Sequence, residues 1–103
     1  MAKSIKMRAQ LAGDETTVKA LISHPMETGL RKGKDGKPIP AHHITEVTCE
    51  HAGKVVMTAQ WGPAVSKNPY LAFMFKGAQA GDSVKLAWVD NKGESDSAEA
   101  TIK

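Results

Sequence analysis

Hydrophobic and polar residues alternate along most of this chain with a period of two, the repeat of a strand with one buried face. Ile5, Met7, Ala9 and Leu11 alternate with Lys6, Arg8 and Gln10. After a turn at Gly13 and Asp14, Val18, Ala20 and Ile22 alternate with Thr17, Lys19, Leu21 and Ser23. Further strands are predicted over Ile44–His51, Lys54–Gln60, Tyr70–Lys76, residues 82–90 and residues 94–102. In the first of these, Val47 and Cys49 share one face, with Glu46, Thr48 and Glu50 on the other. Turn chemistry separates the runs at Ala52-Gly53, Trp61-Gly62-Pro63, residues 77–81 and Asn91-Lys92-Gly93, the last a strong hairpin signal.

Residues 24–41 break the rhythm. Pro25, Gly29, Gly33, Gly36, Pro38 and Pro40 fall there, and neither a strand nor a helix tolerates such punctuation. A loop this long in a compact domain is often functional. Nowhere does an apolar i, i+3, i+4, i+7 stripe run the length a helix needs. Seven short strands in 103 residues predict an all-β fold, an immunoglobulin-like antiparallel β-sandwich, in a single domain over residues 1–103. The likeness is architectural, because the Cys…Trp…Cys pattern of a true immunoglobulin domain is absent.

Composition narrows the function classes. Hydrophobic residues make up 41% and charged residues 24%, which sets disorder aside. No apolar run approaches the ~18 residues of a membrane-spanning helix. The net charge of +3 is mild and its basic residues are scattered, unlike the one-sided face of a nucleic-acid module. The start of the chain lacks the apolar core of a signal peptide, so the sequence by itself reads as cytoplasmic. A single cysteine, Cys49, permits no internal disulfide and says nothing of compartment.

Candidate chemistry is sparse. His24, His42, His43 and His51 lack the tight spacing of a zinc site, and adjacent His42 and His43 point to opposite sides of a strand. They are read as exposed or loop-anchoring, with no metal, no cofactor and no catalytic residue expected. Cys49 faces inward with Val47 and is read as an inert small hydrophobe. The string from Gly29 to Asp35 fails as a phosphate-binding loop, having the wrong glycine spacing and no helix after it. Its cations Arg31, Lys32, Lys34 and Lys37 are either a solvated loop or a means of steering an anionic partner. Asp14 and Glu15 sit in a turn, where carboxylates serve turn geometry.

Several strands are apolar on both faces. Tyr70, Ala72 and Met74 lie opposite Leu71, Phe73 and Phe75; Val56 backs Val55 and Met57; Ala87 and Val89 back Val84, Leu86 and Trp88. Either loops cover the outer sides or a partner packs there. The second explanation makes Val56, Tyr70, Met74, Ala87 and Val89 the candidate interface.

The order and spacing of longer strings carry a resemblance. These are His24-Pro25-Met26-Glu27-Thr28-Gly29-Leu30-Arg31-Lys32, Ile39-Pro40-Ala41-His42, Val65-Ser66-Lys67-Asn68-Pro69-Tyr70-Leu71, Phe73-Met74-Phe75-Lys76-Gly77-Ala78, Gly81-Asp82 and Trp88-Val89-Asp90-Asn91-Lys92-Gly93. Over essentially its whole length the chain resembles the SoxZ family, the small subunit of the SoxYZ carrier of bacterial thiosulfate oxidation. The resemblance implies an immunoglobulin-like sandwich paired with a SoxY-like subunit, which holds sulfur intermediates on a cysteine in a glycine-flanked tail. It implies a non-catalytic scaffold in contact with other Sox enzymes and cytochromes. It also implies a periplasmic location, reached by export with the partner despite the cytoplasmic look of the N-terminus. His24, Met26, Arg31 and Lys32 are then expected to face the partner or its tail. Two other readings stay open: a stand-alone adhesin- or chaperone-like binding module, and a small enzyme using His24, His42 and His43. The latter lacks a visible nucleophile–base–orienter set.

Overall fold

The computed structural model describes residues 4–62 and 65–103. Pro63, used above to end the fourth strand, lies outside them, as do residues 1–3 of the N-terminal start. The described residues form seven strands and no helix: β1 Ile5–Ala12, β2 Glu15–Ile22, β3 Ile44–His51, β4 Lys54–Gln60, β5 Tyr70–Lys76, β6 Ser83–Asp90 and β7 Ser95–Thr101. They make two antiparallel sheets, β1-β2-β5 and β4-β3-β6-β7, which face each other as an immunoglobulin-like sandwich. The last two strands are slightly shorter than the alternation predicts, starting at Ser83 and Ser95.

The core lies between the sheets. Val18, Ala20 and Ile22 of β2 meet Ile44, Val47 and Cys49 of β3 and Val84, Leu86 and Trp88 of β6, all buried. Burying each large aliphatic side chain contributes about 1.5–3 kcal/mol. Beyond β7, Ile102 closes one side, bridging Ala9 of β1, while the Leu11 amide donates to the Lys103 carbonyl. The opposite edges, β4 and β5, stay open.

Two irregularities in β3 re-aim side chains. A register shift between Ile44 and Glu46 lets Ile44 share the inner face with Val47 and Cys49, three and five positions on. A second shift, between Cys49 and Glu50 against β4, changes the parity of the facing strand. Simple alternation sends Val56 outward and Val55 inward. The structure reverses the pair: Val55 is 55% exposed and Val56 packs against the core.

Alternation of strand direction gathers the β2–β3, β4–β5 and β6–β7 connections at one end of the sandwich. An eight-residue strand spans about 27 Å, roughly half of the 53 Å long axis. Much of the remainder belongs to these end loops.

Candidate functional site: a carboxylate-stapled loop platform

The β2–β3 connection is not shapeless. Reciprocal backbone hydrogen bonds join Glu27 and His42, at 2.7 and 3.0 Å. Further out, the Ile39 amide donates to the Arg31 carbonyl and the Gly33 amide to the Lys37 carbonyl, around a bridge between Lys32 and Pro38. Glycines and prolines prevent a continuous ladder yet allow this narrow, irregular arm. Gly29 has φ +87°, and a Cβ there would stand 3.3 Å from the Ala41 Cβ, so two limbs of the arm meet where a side chain would be both strained and crowded.

The base of the arm is held by one buried carboxylate. Asp90, at the end of β6, accepts at Oδ2 from His24 Nε2 at 3.0 Å and His42 Nε2 at 2.8 Å. Its Oδ1 accepts from the amides of Lys92 and Glu94, which fixes the β6–β7 turn. Burial pushes the Asp90 carboxyl up, but the donors from His24, Glu94, His42 and Lys92 together outweigh it and bring it down to about 2. Four donors satisfy a side chain that is fully shielded from water.

Neighbouring contacts lock the platform. The His24 ring sits edge-on to His42 and to Trp88, with centroids 4.5 and 5.1 Å away. Its backbone exchanges two 3.0 Å bonds with Asn68, donating to the side-chain Oδ1 and accepting from the amide. Asn91 donates from Nδ2 to the Ala41 carbonyl and accepts at Oδ1 from the His43 amide. All three connections at this end are therefore tied to one another through His24, Asp90, Asn68 and Asn91.

His24, His42 and Asp90 offer ligand-type atoms within 4.8 Å of one another, the spacing of a metal triad. The proton pattern argues for a hydrogen-bonded staple instead. The Met26 amide donates to His24 Nδ1 at 3.2 Å, so that nitrogen carries a lone pair and the proton resides on Nε2, facing Asp90. A metal at Nε2 would require the opposite tautomer, with a proton on Nδ1 directed at an N–H. Two of the four histidines are thus loop anchors. His51 lies at the other end of the sandwich, 2.8 Å from Asp82, and His43 stays outside the triad.

The residues expected to face a partner or its tail divide into two pairs. His24 and Met26 are 4% and 5% exposed and turn into the protein. Met26 has φ +48°, and its sulfur accepts from the Ile44 amide. These two therefore anchor the arm from beneath rather than present a surface. Arg31 and Lys32 are exposed on the arm, but Arg31 is held by Glu27, with Nη2 to Oε2 at 2.6 Å. The arm's remaining positive charge sits on Lys32, Lys34 and Lys37, and Leu30 stands 86% exposed beside them.

The candidate interface residues likewise divide. Tyr70 and Met74 lie on the outside of the three-stranded sheet, both 61% exposed. Ala87 and Val89 lie on the outside of the four-stranded sheet, the latter 44% exposed. One partner packed face-on cannot cover both pairs.

Sequence reasoning missed Asp90, Asn68 and Asn91. The signal was present: an Asp opening an Asp-Asn-Lys-Gly turn is a residue that caps the following amides. Nothing local announced the histidines that would reach it.

The described residues thus form a two-sheet immunoglobulin-like β-sandwich with an ordered arm at one end and its single thiol buried. Its lineage is specific. A family model described as Sulphur oxidation protein SoxZ matches residues 5–101, nearly the whole chain, and the chain belongs to the SoxZ family. It is thus a subunit of the Sox sulfur-oxidation system. A search of curated proteins gives no match.

Proposed function

We propose that this chain is the non-catalytic scaffold of a SoxYZ-type carrier, in which a SoxY-like partner bears the sulfur intermediates of thiosulfate oxidation on a tail cysteine. The observation that carries the reading is the condition of the only thiol. Cys49 is 0% exposed between the sheets, and burial, then the nearby Glu50 charge, push it up to about 11. A buried, protonated thiol neither attacks nor accepts a sulfur group at neutral pH. Covalent carriage then falls to another chain, leaving this one to position it. The arm's lysines attract anionic thiosulfate and sulfonate groups at long range, acting on encounter rate more than on affinity. On this reading the complex works in the periplasm, exported together with the partner.

The test is co-expression with the chromosomal neighbours, a tag on this chain alone, and a native mass spectrum before and after loading with thiosulfate. A one-to-one complex whose sulfur adduct resides on the partner's glycine-flanked cysteine supports the scaffold. A stable lone monomer, or an adduct on Cys49, overturns it.

A further inference from the structure

We infer that the outer face of the three-stranded sheet is the docking surface for a second protein, one whose matching face is apolar at its centre and carboxylate-rich along one margin. The inference rests on the scaffold reading and says which side of the sandwich the second subunit takes.

Register builds the surface in rows. Lys6, Leu21 and Tyr70 stand abreast, then Arg8, Lys19 and Ala72, then Gln10, Thr17 and Met74. The apolar members gather toward β5: Leu21 is 44% exposed, and Tyr70 and Met74 are each 61% exposed. Scattered exposed apolar residues need no explanation, but a contiguous group on one strand pair does. The backbone that carries Tyr70 is fixed at the start of β5, because the carbonyl of the preceding Pro69 accepts from the Ile22 amide. A large aromatic abreast of Leu, with Met on the same strand face, is the composition of an interface centre.

Charge specifies the partner. Lys6, Arg8 and Lys19 cluster on the β1 side of the strip, and no carboxylate among the described residues lies within ion-pair reach of them. The opposite outer face has the reverse character. Its cross-strand rows set Val89 between Glu46 and Ser95, Ala87 between Thr48 and Ser97, and Lys85 between Glu50 and Glu99. There the apolar members, Val89, Ala87 and the exposed Val55 abreast of Glu50, are smaller, are flanked by polar side chains, and carry a net negative surround. An apolar surface edged with carboxylates is complementary to the first face and repelled by the second.

The experiment uses the full chain and the co-expressed neighbour that ends in a glycine-flanked cysteine. Tyr70→Glu, Met74→Glu and, as the control on the other face, Val89→Glu are checked for folding by circular dichroism and thermal melting of the isolated chain. Dissociation constants for the folded variants are then measured by surface plasmon resonance. Tyr70→Glu or Met74→Glu is expected to weaken the complex by about 100-fold, and Val89→Glu by less than about 3-fold. Reversing Lys6, Arg8 and Lys19 together to Glu should slow association by about 10-fold at low salt, an effect that shrinks as salt is added. Loss of binding with Val89→Glu alone places the partner on the other sheet, which overturns the inference and leaves the scaffold reading standing. Association unchanged or faster after the triple reversal overturns the stated partner chemistry. A wild-type chain that binds the neighbour on neither face removes inference and scaffold reading together.

Discussion

Replacing Asp90 by Asn tests whether the platform at the loop end is an electrostatic staple or ordinary packing. The substitution keeps the shape and one carbonyl oxygen, and it removes the charge that two histidine N–H groups and two amides share. Bringing a carboxyl from its ordinary 3.8 down to about 2 corresponds to about 2–3 kcal/mol of stability at neutral pH. The side chain has no surface in contact with water, which places this interaction well above that of an exposed ion pair. In a chain of this size that loss lowers the melting temperature by about 10–20 °C. The sign with pH follows from a folded value below the unfolded one. The stabilisation is complete above the unfolded value near 4 and disappears as pH falls through 2. Urea unfolding followed by fluorescence, with Trp88 packed on His24 as reporter, gives both stabilities at pH 7, 4, 3 and 2. The gap between wild type and variant should shrink from about 2–3 kcal/mol at pH 7 to near zero at pH 2. A gap below about 0.5 kcal/mol at pH 7, or one that is constant down to pH 2, refutes the staple and assigns Asp90 an ordinary packing role.

Three further outcomes are expected. Cys49 should resist alkylation in the folded chain at pH 8 and react fully in urea; Cys49→Ser should lower unfolding stability by about 1–3 kcal/mol, because a hydroxyl is buried without a partner. Gly29→Ala combines a positive φ with a Cβ 3.3 Å from Ala41, and should cost about 1–2 kcal/mol by thermal melting while speeding amide exchange in the arm. Arg31→Ala should leave the melting temperature nearly unchanged, since the Arg31 side chain is 65% exposed and an ion pair with one member in water contributes little, and should leave exchange at Gly33 and Ile39 unaltered, because their bonds run between backbones.

The sandwich was legible because its strands are short, alternating and separated by turns. The bounds of β3, β4 and β5 coincide with the apolar runs, and Ala52-Gly53 reverses the chain with both residues at positive φ. Period-two reasoning loses its footing at a bulge, since one extra residue flips every later side chain. That is why Val55 and Val56 exchange places and why Ile44 shares a face with Val47. Thr16 is a different failure: its position on the inner face of β2 buries a hydroxyl, and Oγ1 has no hydrogen-bond partner. Composition alone takes such a residue for a surface one. The platform was illegible for a topological reason. His24, His42 and Asp90 are separated by 18 and 48 positions, and only the crossing of β2 to β3 and the pairing of β3 with β6 bring them together. The resemblance to the SoxZ family was drawn from strings that include all three, although their meeting point could not be read from the strings themselves.

The pairing of β1 with the far end of the chain also governs how this protein must fold. Ser4 bonds to Asp96, 92 positions away, and Trp88 donates to the Ser4 hydroxyl. Ala9 bridges Ile102. The connections β2–β3, β4–β5 and β5–β6 each pass from one sheet to the other, so no early stretch of chain completes a sheet by itself. Contacts of such long range place folding in the slow regime of all-β domains, milliseconds to seconds. During synthesis β1 and β2 precede every strand that covers their apolar side: β3 follows only after the long arm, and β6 and β7 come last. Shortening the chain before Ser95 therefore does more than trim an edge: it removes β7 together with the Ile102 and Lys103 contacts that join it to β1, and leaves both β6 and β1 open to self-association.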